Sequence, residues 1–225
     1  MAERAARKDP VGERRWPMAA AVLGATFLSV IAPRHDAVPF WWVFPVIQVV
    51  MLGALIIADP GRIDRRSTVL RRATIALIAV MTVANTLAGI RLINDIIRGL
   101  AGITPTILLG GGAAIWVTNV IVFSLWFWEM DRGGPTERML RSAIPHSFVF
   151  PEESNTDRVT AEGWEPTYPD YLYLAYTNAT SFSPTDTMPV RMWAKMTMMT
   201  QSAISLLVAL LVVARAVNIL PVVKA

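Results

Sequence analysis

Apolar residues in this chain gather into long runs, and charged residues collect between them. The runs at 17–32, 40–58, 74–98, 106–128 and 192–220 each read as a helix of about bilayer-crossing length. Trp41 and Trp42 edge the second run, and Trp126, Phe127 and Trp128 close the fourth. Such rings favour the headgroup level. Gly110, Gly111 and Gly112, near the start of the fourth, allow a neighbouring helix to approach closely. The first run, basic then apolar, also has the layout of a signal peptide. A poor small-residue site and the further spans favour its retention.

The polar positions add an orientation. Residues 1–16 and 59–73 carry five Lys or Arg each, and 129–195 carries six; the links at 33–39 and 99–105 carry one and none. Cations favour the cytoplasmic side, so the amino terminus is expected inside and, after five spans, the carboxyl terminus outside. Residues 1–16 are expected to be a disordered cytoplasmic tail. Arg91 and Asp95, one helical turn apart, are expected to pair, and Arg215 to snorkel.

Composition narrows the chemistry. Hydrophobic residues make up 54% of the 225, the net charge is +4, and there is no cysteine. Disulfides, thiolate metal sites and cysteine nucleophiles are thereby excluded. The basic excess reads as loop bias and attraction to anionic lipid, not nucleic-acid binding. His35 and His146 sit in separate loops and read as surface residues. The acids Glu152, Glu153, Asp157, Glu162 and Glu165 read as a solvated stretch. With no phosphate loop, no metal-spaced acidic cluster and no Ser/His/Asp set, no enzyme, metal or cofactor is expected.

The last third is the most specific. A short amphipathic helix from Asp170 to Thr180 is expected, with Asp170 as its cap. Tyr171, Leu172, Leu174 and Ala175 are expected to pack outward, and Tyr173, Tyr176 and Thr177 to offer hydroxyls. A hydroxyl-rich elbow and a long apolar helix follow. From Thr177 to Pro189 the chain aligns without a gap on T-x-x-T-T-V-G-Y-G-D-x-x-P. It matches at Thr177, Thr180, Asp186 and Pro189, with Ser181 in place of a threonine. That signature belongs to the potassium-channel superfamily, whose pore-loop and inner-helix module this stretch resembles. The filter is non-standard, because Ser183 and Thr185 replace its glycines and Pro184 removes an amide.

The apolar runs predict an all-α integral membrane protein with five transmembrane helices, and the resemblance adds a re-entrant pore-type half-helix before the last span. The chain then divides into a basic tail (1–16), a four-span region (17–128), a polar connecting loop (129–169) and a pore-helix, elbow and last-helix module (170–220). Pore or filter candidates are Thr177, Thr180, Ser181, Phe182, Ser183, Pro184, Thr185 and Asp186. Gln201, Ser202 and Ser205 would line the inner helix, or equally bond a neighbouring helix. Potassium-channel loops enter from outside, whereas the cation count places this one inside. The count concerns the whole chain and is preferred.

The run Trp128-Glu-x-Asp131-Arg132-Gly133-Gly134-Pro135 and the Asp170-to-Asp186 stretch also resemble a family of uncharacterised bacterial multi-span membrane proteins. That resemblance implies the bacterial inner (plasma) membrane and supplies no activity. The function expected is a channel-like protein passing a monovalent cation through a homo-oligomer, a tetramer by analogy. The alternatives are a non-conducting structural or accessory subunit, or a small transporter.

Overall fold

The computed structural model describes residues 12–33, 40–63, 66–99, 104–140, 143–154, 164–180 and 187–219. Its helices are α1 (Trp16–Ile31), α2 (Val43–Ala58), α3 (Thr68–Arg98), α4 (Pro105–Met130), the short α5 (Pro135–Met139) and α6 (Pro151–Ser154), α7 (Tyr168–Thr180) and α8 (Met192–Ile219). The protein is all-α, and α3, α4 and α8 are long and apolar enough to cross a membrane. The other two apolar helices, α1 and α2, have 16 residues each, about 24 Å against a hydrocarbon core of about 30 Å.

Two expectations need correction. Helix α3 begins at Thr68, well before the expected run, because Ser67 Oγ accepts the Leu70 amide at 3.4 Å and caps the first turn. The stretch from Gly12 to Trp16, expected to belong to a disordered tail, is structured. There, β1 (Glu13–Arg14) pairs antiparallel with β2 (Arg62–Ile63), and buried Arg15 meets Asp59 at 2.7 Å. A second pair joins β3 (Phe148–Val149) to β4 (Met188–Pro189).

Helices α1 and α2 run antiparallel, as do α3 and α4. In α1 and α2, Arg15 meets Asp59 at one end and Thr26 donates to Gln48 farther along. In α3 and α4, Arg71 reaches Glu129 and Thr82 accepts from Trp126 Nε1. Helix α4 lies at the centre, packed against α1, α3, α7 and α8. Its contacts with α8 are small and close: Asn119 Nδ2 donates to Ser205 Oγ at 3.0 Å, and Gly112 faces Val212.

The start of α1, the end of α2, the start of α3 and the end of α4 share one end of the bundle, here called the base. Arg15, Arg62, Arg66, Arg71, Arg132 and Arg138 all lie there. The opposite face of α8 presents Leu206, Leu210, Val213 and Val217 outward, the apolar exterior of a protein whose surroundings are lipid.

Candidate functional site

Helices α7 and α8 run parallel, although they are consecutive. Near their starts, Tyr171 and Trp193 both pack on Phe148, with ring centroids 6.4 and 5.8 Å away. Farther along, Asn178 meets Gln201 at 2.7 Å. Two consecutive helices joined simply would run antiparallel. Here α7 ends at Thr180, partway along α8, while Met188 is paired with Val149 beside the start of α7. Those two points are separated along α7 by about 13 Å of helix. The candidates Ser181, Phe182, Ser183, Pro184, Thr185 and Asp186 lie outside the described residues.

Where α7 stops, its carbonyls need partners, because a helix end leaves acceptors without intrahelical donors. Helix α8 supplies them. Ser202 Oγ donates to Asn178 O at 3.0 Å, and Gln201 Nε2 donates to Ala175 O at 2.8 Å. Asn178 Nδ2 returns bonds to Gln201 Oε1 and to Met198 O. Thr180 Oγ1 takes the Thr177 carbonyl, and Thr177 Oγ1 bonds back into its own helix. Gln201 is fully buried, and Ser205 is held by Asn119 of α4. The three α8 residues thus form a hydrogen-bonded seam inside the protomer. Replacing Gln201 with leucine removes both of its bonds and is expected to cost about 1–2 kcal/mol, since bonds between membrane helices average under one each. Unfolding in mixed micelles measures it, and hydrogen exchange at the end of α7 should rise with it.

The inward face of α7 differs from the expectation. Tyr171, Leu174 and Ala175 pack into the core, whereas Tyr173 and Tyr176 are exposed. The helix also starts earlier. Thr167 is the residue before its first turn, and the Asp170 carboxylate reaches back to the Thr167 amide at 2.7 Å. Asp170 therefore acts from the third helical position, the carboxylate half of a capping box.

Beneath α7 sits an ionic cluster that ties it to the base. Asp131 is fully buried and accepts from Tyr171 Oη at 2.6 Å and from the Ser147 amide at 2.8 Å. Arg132, at φ +50°, holds Glu153 at 2.8 Å and Glu165 at 2.9 Å. These two acids belong to the stretch expected to be solvated; the arginine recruits them instead. Arg138 donates to the carbonyls of Trp128 and Asp131 and reaches Glu13 at 3.4 Å. Its guanidinium carbon stands 5.0 Å from the Tyr171 ring centroid. Glu13 accepts the Tyr168 amide at 2.6 Å and Trp128 Nε1 at 2.9 Å. Burial pushes the Glu13 carboxyl above its ordinary value, while the Arg138 charge and these donors pull it back.

The Trp128-to-Pro135 run now has a physical account. Trp128 and Asp131 anchor α7, Arg132 gathers acids, and Pro135 opens α5. Gly134 turns the corner at φ +95°, where a Cβ would lie 3.0 Å from the Glu129 carbonyl, so no other residue suits it. Glu13, Asp131, Arg138, Tyr168 and Asn178 were not singled out as site residues by sequence reasoning. The clustering of charge with Trp, Gly and Pro at 128–135 was their one local signal. His146 is half exposed and lies 3.1 Å from Glu153. Among the described residues no group of three His, Cys, Asp or Glu is placed to hold a metal. Compared with protein-family models, with curated proteins and with solved structures, the chain matches none.

Proposed function

We propose that this is a channel-like membrane protein in which α7, the elbow and α8 form a re-entrant module. It would pass a monovalent cation within a homo-oligomer in a bacterial inner membrane. The observation that carries the reading is the parallel course of α7 and α8, with β4 back at the level where α7 starts. A segment that enters a bilayer halfway and leaves by the same face has this geometry. The arginine-rich base is the cytoplasmic face in this reading, so the loop enters from inside. The apolar helices α1 and α2 complete five spans with help from their flanks.

Thr180 to Asp186 would supply the path. The end of α7 aims its negative dipole at whatever lies beyond it, which favours a cation. The test is ion flux into liposomes holding the purified chain. Flux above that of empty liposomes, at least halved by Asp186→Asn or Thr180→Val, is the expected result. Silence across voltage, pH and cation sinks the reading.

A second reading, a non-conducting accessory subunit, is favoured by one observation. Gln201, Ser202 and Ser205 spend their hydrogen bonds inside the protomer. It predicts no flux and co-purification with a partner.

A further inference from the structure

A separate cavity of about 460 Å³ lies between α1, α2, α3 and α4. That volume is in the range of small-molecule sites. Along α4 it extends from Thr118 to Ile107, about 16 Å, and opens at the end opposite the base, beside Trp41 and Asp95. Its walls are mostly apolar, with Phe44, Leu92 and Ile115 among them.

Its inner end is not apolar. Gln48 is 4% exposed and lines the cavity; its Oε1 accepts from Thr26 at 2.8 Å, and its Nε2 has no partner among the described residues. Thr118, 8% exposed, also lines it and makes no side-chain hydrogen bond among the described residues. The half-buried Asn85 on α3 lines the cavity as well, with no side-chain hydrogen bond among the described residues. These donors are open to the cavity and have no protein acceptor among the described residues, so a ligand that enters with an acceptor oxygen can satisfy them. At the mouth, the pairing expected of Arg91 and Asp95 is not made. Both line the opening with opposite charges, so the rim favours neither sign.

We infer that this cavity binds a neutral, bilayer-soluble molecule with an apolar body and carbonyl oxygens, of the quinone or cyclic-ketone class. It enters oxygen first, and that oxygen accepts from Gln48 Nε2 and Thr118 Oγ1. A lipid chain fits poorly, because its methyl end would meet the unpaired amide. A charged ligand fits poorly, because nothing inside neutralises it.

The inference stands apart from conduction at the elbow, and either fails without the other. The test uses the full chain in lipid nanodiscs, titrated with menadione and followed by tryptophan quenching and equilibrium dialysis. Methylnaphthalene, the same ring without oxygens, is the comparison. Saturable menadione binding beyond that of empty nanodiscs is expected. Thr118→Val removes a hydroxyl on which no other described residue depends. It should weaken menadione by about three- to tenfold, the worth of one hydrogen bond, and leave methylnaphthalene unchanged. Ala88→Phe fills the cavity without touching a hydrogen bond and should abolish binding. Uptake equal to empty nanodiscs, or affinity unmoved by Thr118→Val, overturns the inference and leaves the cavity to water.

Discussion

Arg138→Met is expected to be the most damaging single change at the base, lowering stability by about 3–5 kcal/mol. Arg138 is 5% exposed and gives its fork to two backbone carbonyls and to Glu13. Methionine fills much of the space but leaves the Glu13 charge buried without its cation, and the Trp128 and Asp131 carbonyls without that donor. Arg138→Lys should recover only part of the loss, because a single ammonium cannot reproduce a planar fork. Adding Glu13→Gln to Arg138→Met should recover some stability, since the stranded charge is then gone. Denaturant unfolding of the parent, Arg138→Met, Glu13→Gln and the double variant in mixed micelles completes the cycle. If the double variant is no better than Arg138→Met, charge stranding is not the cause.

Gly112→Val should be the most damaging change within the bundle, by about 1–3 kcal/mol. A Cβ at Gly112 would lie 2.7 and 2.9 Å from the two Cγ atoms of Val212. Both belong to a β-branched side chain fixed on a helix, so neither swings away. The helices must separate, and the Asn119–Ser205 bond farther along the same contact stretches with them. Val212→Ala should rescue Gly112→Val while costing the parent protein stability on its own. That sign reversal, read in the same unfolding assay, identifies steric conflict. Loss of equal size on both backgrounds points elsewhere.

The apolar helices were legible because a bilayer-facing helix must be apolar along its length, and that signal is local. Their ends were less so. Hydropathy marks where lipid would begin, whereas Ser67 and Thr104 mark where hydrogen bonding begins. For α3 the two differ by the stretch that carries Arg71 and Arg72. The pore-loop pattern rests largely on residues 181–186, outside those described, and the parallel course of α7 and α8 depends on pairings that no local pattern spells out. The ionic cluster was illegible for a plain reason. Glu13 meets residues more than a hundred positions away, and pairing at that separation leaves no spacing to recognise. Glu153 and Glu165 resembled ordinary surface acids until Arg132, turned left-handed, was seen between them. The seam at Gln201 and Ser205 was legible as polarity within an apolar helix. Its partners, Asn178 and Asn119, were not.

Glu13 has a practical consequence for anyone shortening or tagging this molecule. Cutting the polar head back to the first apolar run would discard a carboxylate that receives the opening amide of α7 and the indole of Trp128. The product would still be hydrophobic enough to insert, yet its final third would be poorly seated. Fusions are better joined through a spacer ahead of Gly12.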